Sequence, residues 1–139
     1  MSSSPDLLLT SALVAAVKGS GGDLEDLFTE DVTAWSPNLF VTSRKELAAE
    51  WATRDETFSA PEIVITSLDV VGTKAIAEWL VEADHTGPFQ MADDVVSEPT
   101  GRRLVLAGVT VAETRGGKIS ALRTYFDDAA LLEQILVTD

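Results

Sequence analysis

The stretch PEIVITSLDVVGTKAIAEWLVEADHT, residues 61 to 86, decides the fold. Apolar side chains recur at every second position on both sides of Gly72-Thr73-Lys74, the pattern of two half-buried strands joined by a tight turn. We read Ile63 through Val71 as one strand and Ala75 through Thr86 as its hairpin partner. Successive side chains of a strand point to opposite faces. Trp79, Val81, Ala83 and His85 therefore share one face, and Glu78, Leu80, Glu82 and Asp84 share the other. Three carboxylates mark the second face as a solvent or dimer surface, which leaves His85 on the side where a pocket would form.

Downstream the same period continues. Leu104 to Thr114 and Lys118 to Phe126 read as a second hairpin about Arg115-Gly116-Gly117. Asp127 or Asp128 caps a last helix, whose Leu131, Leu132, Ile135 and Leu136 can pack on the sheet. Between the hairpins, residues 85 to 103 read as a polar loop that ends in the turn Pro99-Thr100-Gly101-Arg102. Its Met91-Ala92-Asp93-Asp94 and Glu98 suit a solvated loop, with a mobile lid as the alternative.

Upstream of Pro61 the period is helical. Ser4-Pro5-Asp6 starts a helix with Leu9, Leu13, Ala16 and Val17 on one face. The apolar run Leu7 to Val17 has the length of an export-signal core, but no Lys or Arg precedes it, so a helix is expected. Gly19-Ser20-Gly21-Gly22 ends it, and Asp23 caps a short helix DLEDLF with Leu24, Leu27 and Phe28 on one face. Asp31 to Trp35 reads as a short strand closed by Ser36-Pro37-Asn38. Ser43-Arg44-Lys45-Glu46 is a capping box that opens a third helix anchored by Leu47, Trp51 and Phe58. Helices followed by a long antiparallel sheet give an α+β layout, with helices over one sheet face. A strongly curved sheet under helices leaves a cone, and an unfilled cone is a pocket. With no repeats and no linker, residues 1–139 are expected to form a single domain.

Composition bounds the partners. The chain has 23 acidic and 10 basic residues, a formal charge of -13, which repels phosphate backbones and anionic lipid. No nucleic-acid or membrane partner is expected, no stretch is long and apolar enough to span a bilayer, and a cytoplasmic location fits. There is no cysteine, hence no disulfide, thiolate metal site or cysteine nucleophile. A single histidine and scattered carboxylates offer no metal-ligand spacing, so neither metal nor cofactor is expected.

Several segments, in order, resemble the SnoaL-like branch of the NTF2-like superfamily. They are GGDLEDLFTEDVTAWSP, SRKELAAEW, AEWLVEADHTGPF, PTGRRLVLAGVTV and GGKISALRTYFDDAALLEQI, together reaching from about Gly21 to Ile135. The resemblance implies an NTF2-like cone: a curved mixed or antiparallel sheet wrapped around N-terminal helices, with a short C-terminal helix. It implies a homodimer packed through the sheet and a pocket for a small apolar, polyketide-like or terpenoid-like molecule. It does not fix an activity, because folds of this kind host cyclases, isomerases, epoxide hydrolases, dehydratases and non-catalytic binding modules.

Position by position, the resemblance removes chemistry. The Asp and His that act as acid and base in the polyketide cyclases of this family align with Thr124 and Thr110, which cannot take up a proton near neutral pH. The base of the ketosteroid isomerases falls in Thr33-Ala34-Trp35-Ser36, which holds no acid. Asp84, Arg123, Asp127, Tyr125 and Asn38 are raw material for an epoxide hydrolase, in the wrong local pattern.

The remaining catalytic candidates are His85, Asp127 and Tyr125. His85 suits acid/base work if a carboxylate orients it, and otherwise binds its loop backbone and fixes the turn at Gly87-Pro88. Asp127 is first an N-cap, though Arg123 and Tyr125 share its face and would form a polar cluster with it. The expected pocket residues are Trp35, Asn38, Trp51, Trp79, Thr110, Thr124 and Phe126. Two functions follow: a cofactor-independent isomerase, cyclase or dehydratase, or a non-catalytic ligand-binding or dimerisation module using the same cone.

Overall fold

The computed structural model describes residues 4–18, 24–37, 39–52, 58–87, 89–92 and 95–136. The hairpin that opened the reading is its centre. β3 (Phe58–Val71) and β4 (Lys74–His85) pair antiparallel through Gly72, whose φ of 63° suits the turn. β4 pairs with β7 (Arg103–Arg115), and β7 with β8 (Lys118–Phe126), both antiparallel. β8 then pairs parallel with β1 (Phe28–Ser36), which pairs with the short β2 (Leu39–Val41). The strand order is β2-β1-β8-β7-β4-β3, a curved, open, mixed sheet with helices: an α+β fold.

The helices cover one face. α1 (Pro5–Lys18) lies across β3, β4, β7 and β8 with Leu8, Leu9, Ala12 and Leu13 buried. It can sit close because the strands beneath present Ala75, Ala77 and Ala112, all fully buried. α2 (Leu24–Leu27) and α3 (Arg44–Ala52) close the β1 side, where Phe28 meets Trp51 edge-on at 5.7 Å. The capping box of α3 forms: the Glu46 N–H donates to Ser43 Oγ at 3.1 Å, and the Glu46 carboxylate accepts from Ser43 and Thr42.

α4 (Asp128–Leu136) packs Leu131 and Ile135 against Leu104. Beyond Gly108, β7 has no β8 partner, and the Gln134 side-chain amide takes that place. It accepts from the Val105 N–H at 2.8 Å and donates to the Val105 carbonyl at 2.7 Å. Arg102 secures the far end of the helix by donating to the carbonyls of Gln134 and Ile135.

Several boundaries differ from the sequence reading. Phe58 is not a helix anchor: it begins β3, paired with His85, while α3 ends at Ala52. The strand runs through Pro61 because β3 is an edge strand and a bulge between Ser59 and Glu62 takes the proline out of the ladder. Phe28 likewise opens β1 rather than closing α2. The stretch read as a loop after His85 holds a two-stranded ribbon, β5 (Phe89–Ala92) and β6 (Val95–Ser97). Asp23, Asp93 and Asp94 lie outside the described residues.

Candidate functional site

Cross-strand register sets the inner side chains of the sheet in rows. One row reads Ile63, Val81, Leu106; the next Ile65, Trp79, Gly108, Phe126; the third Ala77, Thr110, Thr124. Thr110 is fully buried. The Trp79 indole N–H donates to its hydroxyl at 2.9 Å, and the Thr110 and Thr124 hydroxyl oxygens lie 3.0 Å apart. The indole reaches that far because Gly108 stands opposite Trp79. A Cβ on Gly108 would sit 2.3 Å from Trp79 Cζ2 and 2.5 Å from Cη2. A glycine inside a strand packs nothing of its own, and its missing side chain is here the space the ring fills. Ile63, Val81, Leu106, Thr124 and Phe126 face inwards yet are only half-buried. These inner side chains of the described residues therefore remain partly accessible.

His85 also faces inwards, but at the far end of β4. At about 3.3 Å of rise per residue it lies about 20 Å along the strand from Trp79, so the two cannot act on one atom. It is fully buried. The Thr100 N–H donates to His85 Nδ1 at 3.2 Å, and the Thr100 hydroxyl lies 3.0 Å from the same nitrogen. That hydroxyl oxygen accepts from the Arg102 N–H at 3.2 Å, which leaves its proton for Nδ1. Nδ1 is thus an acceptor, and this arrangement assigns the ring proton to Nε2. The main chain repeats the tie: His85 N–H donates to the Arg102 carbonyl and Gly101 N–H to the His85 carbonyl, both at 2.9 Å. Burial lowers the pKa of His85 below its ordinary value; a hydrogen bond with the Gly87 backbone opposes this, and the Arg102 charge lowers it further.

The other candidates are not brought together with the threonines. Tyr125, 48% exposed, stacks on Trp35, 41% exposed, with ring centroids 5.2 Å apart on the outer face. Arg123 pairs with Glu113, holding the Glu113 carboxyl below the usual carboxylate range. The Asp127 carboxylate accepts from the Ala130 N–H at 3.1 Å at the start of α4. The polar cluster of Arg123, Tyr125 and Asp127 is therefore not formed: each has a separate partner. Trp51 is a core residue, Phe126 packs on the core from the rim, and Asn38 lies outside the described residues.

Gly108, Thr100 and Arg102 were not singled out from the sequence. Gly108 had a signal, a glycine inside an alternating run, which marks close approach of another group. Thr100 and Arg102 had none, because their partners are distant in sequence.

An open cleft of about 470 Å³ lies between the turns at Gly72-Thr73 and Arg115-Gly116-Gly117, at the end of the sheet away from His85. Arg115 is the one ionisable side chain among its lining residues, and a guanidinium stays protonated near neutral pH. Among the described residues no group of His, Asp or Glu could hold a metal ion, and no helix is long and apolar enough to cross a membrane.

The profile of the SnoaL-like domain family matches residues 12–122. No protein of curated function matches the sequence. Among solved structures, a candidate SnoaL-like polyketide cyclase from Jannaschia sp. CCS1 is 20% identical, with 100% of this chain and 99% of that one covered and a TM-score of 0.75. IdmH, a candidate polyketide cyclase from Streptomyces antibioticus, is 17% identical over 96% of this chain and 99% of its own, with a TM-score of 0.79. An LEH-like epoxide hydrolase from M. tuberculosis is 14% identical over 95% and 89%, with a TM-score of 0.71. At these identities the likeness is one of fold.

Proposed function

The chain belongs to the SnoaL-like domain family of the NTF2-like superfamily, and on that premise we propose that it holds a small apolar molecule in the cone without transforming it. The observation that carries this reading is the chain Trp79–Thr110–Thr124. Two threonines stand where the resemblance puts an acid and a base, and a threonine hydroxyl neither ionises nor takes up a proton near neutral pH. The inner rows carry no other ionisable side chain among the described residues except His85, about 20 Å away along the strand. Asp127 and Tyr125 then serve as a helix cap and an outer-face aromatic.

The test is a fluorescence titration with polyketide-like and terpenoid-like compounds, followed by chromatography of the recovered compound. Saturable binding with the compound unchanged supports the reading. Conversion that disappears in a folded His85→Gln variant overturns it. That outcome would install the second reading, a cofactor-independent isomerase, cyclase or dehydratase with His85 as the acid/base. One observation favours it: burial keeps the His85 ring in its basic form at neutral pH.

The outer sheet face supports a homodimer. Val64, Leu80 and Ala107 adjoin across β3, β4 and β7, and Val109, Tyr125 and Trp35 continue the apolar surface to Phe40, which is 66% exposed. Glu62, Glu82, Asp84 and Arg103 rim it as an ion-pair cluster. A contiguous apolar face with a charged rim is the anatomy of a protein interface. A monomeric mass by light scattering at micromolar concentration would refute it. The charge of -13 speaks against nucleic-acid partners and suits a cytoplasmic location.

A further inference from the structure

The hydrogen bonds inside the cone have a direction. An indole N–H can only donate, so the Thr110 oxygen accepts at 2.9 Å and its own proton must go elsewhere. Thr110 is fully buried, and a buried hydroxyl proton without an acceptor is costly. Among the described residues its side-chain partner besides Trp79 is Thr124, whose oxygen lies 3.0 Å away. Thr110 therefore donates to Thr124, and the Thr124 proton is turned away from Thr110. Thr124 is half-buried on the inner face, and among the described residues no side chain other than Thr110 is hydrogen-bonded to its hydroxyl.

From this we infer that Thr124 is a preset hydrogen-bond donor to the ligand, and that the ligand is an apolar compound carrying an acceptor oxygen, a carbonyl in the first instance. The inference rests on the reading of the cone as a small-molecule pocket and narrows it to a chemical class. Trp79 sets the direction without donating to the ligand itself: its N–H occupies the Thr110 oxygen, so Thr124 cannot spend its proton there. The rows around Thr124 are Ala77, Gly108 and Phe126, with Leu106 beyond. They supply apolar contact and no competing charge, so a neutral carbonyl is favoured over an acid, which would bury a carboxylate without a cation.

Two matched probes test this: 2-acetylnaphthalene, which has the carbonyl, and 2-ethylnaphthalene, which does not. Binding of each is titrated against the full chain, Thr124→Val and Thr124→Ser. The expected result is that the preference for the ketone falls about tenfold in Thr124→Val, the ratio one hydrogen bond supports, and is retained in Thr124→Ser. The infrared carbonyl band of carbon-13-labelled ketone should move to lower wavenumber on binding to the unmodified protein and to Thr124→Ser, and not to Thr124→Val. If both probes bind but the preference is unchanged by Thr124→Val, the donor role is overturned while the pocket stands. If neither probe binds up to its solubility limit, the pocket reading falls and takes this inference with it. Should the valine variant not fold, the carbonyl band in the unmodified protein decides alone: no shift on binding overturns the inference.

Discussion

Gly108→Ala is the smallest change that strikes the centre of the site. The added Cβ would lie 2.3 Å and 2.5 Å from two Trp79 ring carbons and 2.8 Å from the Tyr125 carbonyl oxygen. Unstrained carbon contacts need about 3.5–4.0 Å, so the ring must retreat by more than about 1 Å. It is tied at Nε1 to Thr110, and the Tyr125 carbonyl belongs to the neighbouring strand β8. Overpacking of this kind costs roughly 1–3 kcal/mol. Pulling the indole from Thr110 leaves a buried donor unpaired, for about another 1–3 kcal/mol. A total near 3 kcal/mol is expected, lowering Tm by about 10 °C for a chain of this size. Gly108 is not among the positive-φ glycines, so backbone strain adds nothing. Urea unfolding followed by circular dichroism measures the loss directly. In a Trp79→Phe background the two clashing ring carbons are gone, and Gly108→Ala should then cost at most about 1 kcal/mol through the Tyr125 contact that remains. An equal cost in both backgrounds, or a loss under about 0.5 kcal/mol in the unmodified chain, would refute the packing of Trp79 over Gly108.

Thr110→Val conserves volume but strands the indole N–H, and should cost about 1–3 kcal/mol in urea unfolding; a neutral result would mean that Thr110 does not hold Trp79. The folded pKa of His85 lies below the unfolded value of about 6.5, so as pH falls the unfolded chain takes up the proton first. Stability is therefore full above about pH 6.5 and is lost below it, by up to about 1.4 kcal/mol per pH unit until the folded pKa is reached. Thermal melts of the protein and of His85→Asn from about pH 7.5 to 5 should converge as pH falls, and parallel curves would refute a buried neutral ring. Asp127→Ala removes the cap of α4 and should cost about 1 kcal/mol with ligand affinity unchanged; a lost affinity would return Asp127 to the site.

What the sequence made legible is what depends on local pattern. Two-residue alternation placed Trp79 and His85 inward and Glu78 and Glu82 outward, as the burial of β4 shows. Caps marked α3 and α4 because their partners sit three residues away. Pro61 concealed the start of β3, since a proline argues against a strand until an edge position and a bulge are known. The short β2, β5 and β6 had too few residues to show a period. Tyr125 was a candidate because it shares a face with Arg123 and Asp127, and Trp35 because of its residue type; register decides their side, since Trp35 aligns with Arg123, not with Leu122. The pairing of Thr110 with Thr124 was open to inference from the hairpin; that of Trp79 with Thr110 was not, because it depends on a ring lying across Gly108.

The two ends of β4 answer to different demands. At the His85 end the polar groups tie β4, the turn before β7 and the end of α4 together: Thr100 binds Nδ1 of the ring, and Arg102 binds both the His85 main chain and the α4 carbonyls. A histidine held in this way gains order at the cost of proton exchange, since protonating Nδ1 would set it against the Thr100 N–H. At the Trp79 end the polar chain is short and finishes on a group with a proton to give. Recognition needs only such a fixed donor in an apolar wall, whereas proton transfer needs a group whose charge changes in reach of the reacting atom. Among the described residues the inner face has the first at Thr124 and keeps its one titrating side chain, His85, about 20 Å along the strand from Trp79. Restoring a carboxylate at position 124, by Thr124→Asp, would place a charge against Thr110 with no cation nearby among the described residues. Its pKa would rise on burial, and the variant would gain a proton acceptor while losing the preset donor.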